Sequence, residues 1–187
     1  KYLTPHKRIL EVGCGVGRMT QWLLRNHCTV EVIEPDLRSI WRLISNIAGF
    51  PGKIDVHWST AEKMPSLGHF DVAVACEVLN YVEDPLACVS RIYNSLKPSG
   101  MVLLSVEARW GWALSNDVAE GTAEAFFQTG VIHVPGDRWI QTFTKHQIEQ
   151  LLSDFNILNI VPGHYTLAGP FEDIIGQQPI LKMLEWE

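Results

Sequence analysis

Arg8-Ile9-Leu10-Glu11-Val12-Gly13-Cys14-Gly15-Val16-Gly17 is the stretch whose reading decides the fold. Ile9, Leu10 and Val12 form a short apolar run of the kind that makes a strand buried on both faces. The run ends in glycines at every second position, and Met19, Trp22, Leu23 and Leu24 then recur at helical spacing. The stretch therefore reads as strand, glycine turn, helix. Glycines at such a turn allow positive φ and let a ligand lie against main-chain atoms. The unpaired amides of the helix's first turn face that ligand. A flat, polar ligand is expected here.

Two details narrow it. The dinucleotide fingerprint is G-x-G-x-x-G, whose last glycine lets helix pack on strand. Here the third glycine comes one residue early and Arg18 follows it, which is the wrong spacing for NAD or FAD. Glu11 also stands inside the strand end, just before the glycines. A carboxylate there repels a pyrophosphate and suits a ligand that carries an ammonium group. The segment Glu11 to Gly17 resembles the first motif of class I S-adenosylmethionine-dependent methyltransferases. The resemblance implies S-adenosylmethionine as cofactor and S-adenosylhomocysteine as product. Glu11 would face the methionine end, with Gly13, Cys14, Gly15 and Gly17 passing beneath it.

Composition sets the frame. A chain of 187 residues, 47% hydrophobic and 19% charged, is globular and reads as one domain over 1–187. Its net charge of −6 predicts no pull toward nucleic-acid phosphates or anionic membranes. No apolar run approaches the roughly 18 residues of a membrane span, and no signal peptide is visible. Cys14, Cys28, Cys76 and Cys88 are scattered, without a C-x-x-C pair or a His cluster nearby. They read as reduced thiols of a cytoplasmic protein, and no metal site is expected. Lys1 stands where a gene product would begin with Met, and the first strand starts almost at once. Chains of the resembled family carry a helical segment over the cofactor before this strand, so part of that N-terminal cap is expected to be missing here.

Further along, Thr29 to Glu34 has the β-branched content of a second strand. Pro35 opens a helix through Leu37, Ile40, Trp41, Ile44 and Ile47, with Asp36 as a first-turn acid. A carboxylate at the tip of the second strand, about 20 residues after the glycine loop, can grip a ribose diol with both oxygens. The family resemblance extends to this point and implies that Glu34, next to Pro35, holds both ribose hydroxyls. Lys53 to Trp58 gives a third strand, followed by Ser59-Thr60-Ala61-Glu62-Lys63-Met64-Pro65. The family has Asp-Ala-Glu-x-Leu-Pro here, whose Asp takes the adenine amino group. This sequence has Thr60 instead, so adenine falls to Thr60, to the backbone of Ala61 and Glu62, or to the Glu62 side chain.

Phe70 to Ala75 reads as a fourth strand running into Cys76-Glu77-Val78. The family's fourth motif lies here, and the resemblance implies that Cys76, Glu77 and Val78 flank the transferable methyl group. Asp84 as N-cap and Pro85 at the first helical position start a helix whose buried face is read as Leu86, Val89, Ile92, Tyr93 and Leu96. Lys97 to Gly100 stops it, and Met101 to Val106 forms a fifth strand. Alternation of strand and helix five times predicts an α/β fold, a doubly wound, mostly parallel sheet flanked by helices, Rossmann-like. Ligands bind such sheets beyond the carboxyl ends of the strands. Glu11, Glu34, Thr60 and Cys76 all fall at such ends.

From Glu107 to Ile140 the pattern breaks. Trp110, Trp112, Phe126, Phe127, His133 and Trp139 stand among glycines and polar residues, with a short helix expected at 119–127. Connections this long are uncommon unless functional, so 108–140 reads as a substrate-facing insertion in a core of 7–107 and 144–161. Thr144 to Gln147 is a capping box opening a helix to Leu152, Ile157 to Val161 reads as a sixth strand, and Phe171 to Trp186 as an interrupted helix. The family's seventh, antiparallel strand has no candidate, so the last strand is expected to be missing.

A sulfonium is an activated methyl donor, and transfer to an O, N, S or C atom is an in-line displacement that needs mainly alignment and exclusion of water. A base is required only if the acceptor must lose a proton. His133 and then Glu107 are the candidates. The lid's aromatics predict a small, partly apolar acceptor. A nucleic-acid methyltransferase would need a basic stripe or an Asn/Asp-Pro-Pro-Tyr signature after the fourth strand, where Cys76-Glu77-Val78-Leu79 stands. The alternatives are a protein or tRNA methyltransferase, and a regulatory protein that binds the cofactor without transferring the methyl group.

Overall fold

The computed structural model describes residues 3–109, 126, 128–133 and 139–161. Its contacts fall into two compact units, 1–105 and 106–187.

The first unit is a parallel sheet built from β1 (Arg8–Val12), β2 (Thr29–Glu34), β3 (Lys53–Trp58), β4 (Phe70–Cys76) and β5 (Leu96–Ser105). Among the described residues the strand order is β3-β2-β1-β4-β5. β1 pairs in parallel with β2 on one side and β4 on the other, so the order reverses between β1 and β4. The ligand crevice of an open α/β sheet opens at such a reversal, beyond the carboxyl ends of the strands. Three helices connect the strands: α1 (Arg18–Arg25), α2 (Leu37–Asn46) and α3 (Pro85–Ser95). Right-handed crossovers put α1 and α2 on one face, because β1, β2 and β3 advance in one direction, and α3 on the other.

The strand alternation agrees with this placement. Ile9, Val30, Val32, Val72 and Val74 are buried together with Leu23 and Leu24 of α1 and Leu43 of α2. The connections form as the local chemistry directs. Asp36, rather than Pro35, begins α2, its carboxylate accepting the amides of Arg38 and Ser39. Asp84 accepts the Ala87 amide, with Pro85 at the first position of α3.

Several local expectations need correction. On α3 the buried residues are Cys88, Val89, Ile92 and Ser95, whereas Leu86 and Tyr93 are exposed. The apolar residues of α3 span more of the helix than its sheet can cover. β5 starts at Leu96, ahead of the expected Met101, because Leu96 pairs with Phe70 before a register shift carries the ladder on to Val72 and Met101. It ends at Ser105, so Glu107 lies beyond the strand and not at its tip.

In the second unit, β6 (Val131–His133) and β7 (Trp139–Gln141) form an antiparallel pair inside the segment read from sequence as an irregular insertion. α4 (Lys145–Leu151) opens with the expected capping box between Thr144 and Gln147. Gln147 Oε1 also accepts from Arg109 Nη2 at 3.0 Å. The sixth strand expected at 157–161 does not form: these residues are irregular, and Ile157, Leu158, Ile160 and Val161 are all exposed. β propensity expresses packing on a partner strand and face, and among the described residues this segment has neither. The helix expected at 119–127, apart from buried Phe126, and the one at 171–186 lie outside the described residues.

Candidate functional site

The site residues of the first unit gather at the carboxyl rim of the sheet, and the strand register explains why. Glu11 stands opposite Val32 of β2 and Val74 of β4, one residue before β1 ends. Glu34 closes β2 opposite Trp58, and Cys76 closes β4 opposite Ser105.

The glycine turn is left-handed three times, at Gly13 (φ 70°), Gly15 (φ 53°) and Gly17 (φ 90°). These glycines serve different ends. A Cβ at Gly13 would stand 2.5 Å from Val78 Cγ2, and one at Gly17 would stand 2.5 Å from Leu43 Cδ1. A Cβ at Gly15 would meet nothing within 4 Å. Gly13 and Gly17 therefore let the turn close onto its neighbours, while the main chain at Gly15 presents an open surface. Gly17 precedes α1 and no side chain caps that helix.

Glu34 is buried and ties two loops together. Its Oε2 accepts the Gly15 amide at 2.9 Å and its Oε1 accepts the Asp36 amide at 3.0 Å. The Cys14 thiol, which burial pushes well up, points at the same Oε2 from 3.8 Å.

Glu11 is 3% exposed, and its Oε2 accepts from the Thr20 hydroxyl at 2.7 Å. Burial raises its carboxyl to about 7, against the opposing effect of the Thr20 hydroxyl and amide; the nearby Glu34 charge adds to the rise. The sequence carries no obvious signal for Thr20. A threonine in the first turn of the helix that follows an acidic strand end is the pattern that could have found it.

After β3, Thr60 Oγ1 is buried without a hydrogen bond of good geometry. Ala61 is buried in a short 3-10 turn. Glu62 Oε1 accepts the Glu83 amide at 2.9 Å, which joins this loop to the one ahead of α3. Burial acts to raise Glu62, but the amides of Glu62, Glu83 and Asp84 and the dipole of the neighbouring Thr60 hydroxyl outweigh it and hold the carboxyl below its usual range.

Beyond β4, Glu77 is a non-glycine residue at φ 57°, a left-handed conformation that costs free energy and concentrates at functional sites. Two bonds hold it there. Its amide donates to Ser105 O at 3.0 Å, and its Oε1 accepts from Ser105 Oγ at 2.7 Å. Ser105 was not among the residues picked from sequence, since a serine at a strand end carries no signal by itself. Cys76 beside it is exposed, with its thiol raised by partial desolvation.

His133 ends β6, exposed, and Glu107 lies just beyond β5, its carbonyl accepting the Phe143 amide at 3.0 Å. Both belong to the second unit.

The rim thus offers an open main-chain surface at Gly15, a buried carboxylate with spare lone pairs at Glu34, a second buried carboxylate at Glu11 and a buried hydroxyl at Thr60. A nucleoside carrying an amino-acid arm fits this donor and acceptor set.

Comparison with known proteins places the chain in a family. A family model described as a methyltransferase domain matches residues 1–160. The ubiquinone biosynthesis O-methyltransferase of Xanthomonas campestris pv. campestris strain B100 is 32% identical over 105 residues, which is 54% of this chain and 43% of that protein. The chain spans less than half the length of the curated relatives it matches. An S-adenosylmethionine-dependent methyltransferase of Mesorhizobium loti superposes with a TM-score of 0.68 at 18% identity, covering 97% of this chain and 87% of that one. One from Methanosarcina mazei gives 0.65 at 20% identity, covering 82% and 80%. At these identities the likeness shows the fold. The chain belongs to the methyltransferase-domain family, on the class I fold whose cofactor is S-adenosylmethionine.

Proposed function

We propose that this protein transfers a methyl group from S-adenosylmethionine to an oxygen atom of a small, partly apolar acceptor. The observation that carries the reading is the Glu34 carboxylate, buried at the switch-point rim and already bonded to the open glycine turn at Gly15. When bound, the cofactor supplies a methyl group on a sulfonium, activated for in-line displacement.

The chain's own residues bind and align. Glu34 accepts from the ribose hydroxyls, flanked by Pro35. Glu11 faces the ammonium, and Gly13, Cys14, Gly15 and Gly17 line the main-chain floor. Thr60, the backbone of Ala61 and the Glu62 loop receive adenine. Cys76, Glu77 and Val78 border the reacting methyl, where the Ser105 tether holds Glu77 in one orientation.

A relative named for O-methylation supports oxygen as the acceptor atom. A hydroxyl must lose its proton during transfer, and His133 or Glu107 takes it in this reading. The single-domain division into a cofactor core (7–107 and 144–161) and an acceptor-facing insertion (108–140) belongs to the same proposal.

Calorimetric titration with S-adenosylmethionine, S-adenosylhomocysteine and NAD tests it. Binding of the first two, none of NAD, and marked weakening in Glu34→Ala are expected. No binding of either sulfur compound, or unchanged affinity in Glu34→Ala, overturns the assignment.

A further inference from the structure

Helix α2 exposes an apolar stripe that its sheet does not use. Leu37, Trp41 and Ile44, spaced i, i+4, i+7, are 45%, 72% and 52% exposed, and Leu43 is the buried residue of the helix. Residues at that spacing share one face. Trp58, 67% exposed at the end of the edge strand β3, stands beside the start of this helix. Its indole Nε1 donates to Pro35 O at 2.9 Å, which fixes the ring there.

The charge beside the stripe is mainly positive, with one exposed acid, Asp36, at the helix start. Arg38 and Arg42, both exposed, run alongside it at i, i+4, and among the described residues neither makes an ion pair. The Asp36 carboxylate is taken up by the hydroxyl and amide of Ser39 and the amide of Arg38. On the same side of the sheet α1 adds Arg18 and Arg25, both exposed.

Although the chain as a whole is −6, its first 53 residues hold eight Lys and Arg against four Asp and Glu, and the remainder holds seven against seventeen. Three of those four acids, Glu11, Glu31 and Glu34, are buried. Net charge conceals this asymmetry, which is why composition predicts no attraction to anionic surfaces.

Three occupants compete for such a face. A second copy related by a twofold axis would set Arg38 and Arg42 against their equivalents, with a single exposed acid, Asp36 at the helix start, against two arginines. A nucleic acid would take the arginines and leave Leu37 and Ile44 against water. A lipid surface satisfies both. Tryptophan settles at the headgroup level, aliphatic side chains enter the acyl boundary, and arginines pair with anionic headgroups.

We propose that the α2–Trp58 face docks this protein peripherally on an anionic lipid surface. Because Glu34 immediately precedes Pro35, docking also brings the rim of the sheet to that surface. The use of this for a lipophilic methyl acceptor rests on the methyltransferase reading, but the docking does not.

Co-sedimentation of the 187-residue protein with vesicles of phosphatidylcholine, with and without phosphatidylglycerol, tests the proposal. Binding should require phosphatidylglycerol and weaken with added salt. Arg38→Gln with Arg42→Gln should lower it about 30-fold, the worth of two surface arginines at about 1 kcal/mol each, and Arg38→Glu with Arg42→Glu should lower it further. Trp41→Ser with Ile44→Ser should lower it at least tenfold, by an order-of-magnitude estimate from the apolar surface lost. The melting temperature and S-adenosylmethionine affinity of each variant show that fold and rim are intact. A methyltransferase reading that fails there leaves the vesicle result standing. No binding to phosphatidylglycerol vesicles, equal binding to phosphatidylcholine alone, or binding unchanged in every double variant overturns the proposal. So does a concentration-dependent dimer that Trp41→Ser with Ile44→Ser dissolves in the absence of vesicles.

Discussion

Glu11→Gln separates what the buried carboxyl does for the fold from what it does for a ligand. In the folded protein burial lifts Glu11 from 4.5 to about 7. The neutral acid is thus favoured by folding, and its contribution is fully present below the unfolded value and lost as pH rises through the folded one. A rise from 4.5 to about 7 corresponds to roughly 3 kcal/mol, lost between about pH 4.5 and pH 7. Glutamine is never ionised, so Glu11→Gln lacks that loss. The stability of the variant relative to wild type should therefore rise by about 3 kcal/mol between pH 4.5 and pH 8. For a chain of this size that is roughly 6–12 °C in melting temperature. S-adenosylmethionine affinity should move the other way, because the acceptor for its ammonium loses its charge. In wild type near pH 7, the ammonium should also draw the proton off Glu11, so binding enthalpy should depend on the ionisation enthalpy of the buffer. Melting curves from pH 4.5 to 9 and titrations in two buffers measure both. Parallel melting profiles for the two proteins would refute the burial argument. Unchanged affinity would remove Glu11 from the ammonium site while leaving the stability argument intact.

Gly13→Ala meets both a left-handed backbone and Val78, and should cost about 2 kcal/mol or more. Adding Val78→Ala removes the clash and should recover part of the loss, whereas Gly15→Ala, with open space beside it, should cost only the conformational term of about 1 kcal/mol. Denaturant titrations rank the three, and equal costs at Gly13 and Gly15 would contradict the packing assignment. His133→Ala should slow turnover while leaving cofactor affinity unchanged, measured by single-turnover kinetics beside calorimetry. Full activity removes it as the proton acceptor.

The parallel sheet was legible because its strands are nearly continuous apolar runs closed by turn residues, and because acids stand at their tips. Glu11 and Glu34 could be placed from spacing alone. Their partners could not. The Gly15 amide, the Thr20 hydroxyl and Ser105 are ordinary residues that matter only once the strands are in register. The positive φ of Glu77 is equally silent in sequence, since nothing about a glutamate announces a left-handed backbone. Ile157 to Val161 misled for the opposite reason. The residues have strand-forming shapes, but a strand requires a neighbour, and propensity does not supply one. Helix α2 shows the same limit: Leu37, Trp41 and Ile44 read as an apolar helix face, yet that face points away from the sheet.

Glu34 joins these strands of argument, because one carboxylate carries two tasks. A carboxylate offers about four lone-pair positions. The amides of Gly15 and Asp36 each occupy one, on different oxygens, and the Cys14 thiol points at Oε2 from 3.8 Å, which leaves Oε1 a free position and Oε2 one that a hydroxyl takes over from the weak thiol donor. Order in the glycine turn and affinity for a diol are therefore coupled through the same side chain. Glu34→Gln exposes the coupling, since it keeps the shape but replaces one oxygen by an NH2 group. That group must face either the Gly15 amide or the Asp36 amide, donor against donor, whichever way the side chain is turned. An unsatisfied buried pair of this kind costs about 1–3 kcal/mol, so the isosteric variant should bind S-adenosylhomocysteine about 10–100-fold more weakly and melt lower without any ligand. A residue that served only the ligand would lose affinity and keep its melting temperature. Calorimetry and ligand-free melting, run on the same preparation, distinguish the two, and an unchanged melting temperature would show that the Gly15 turn holds its shape without Glu34.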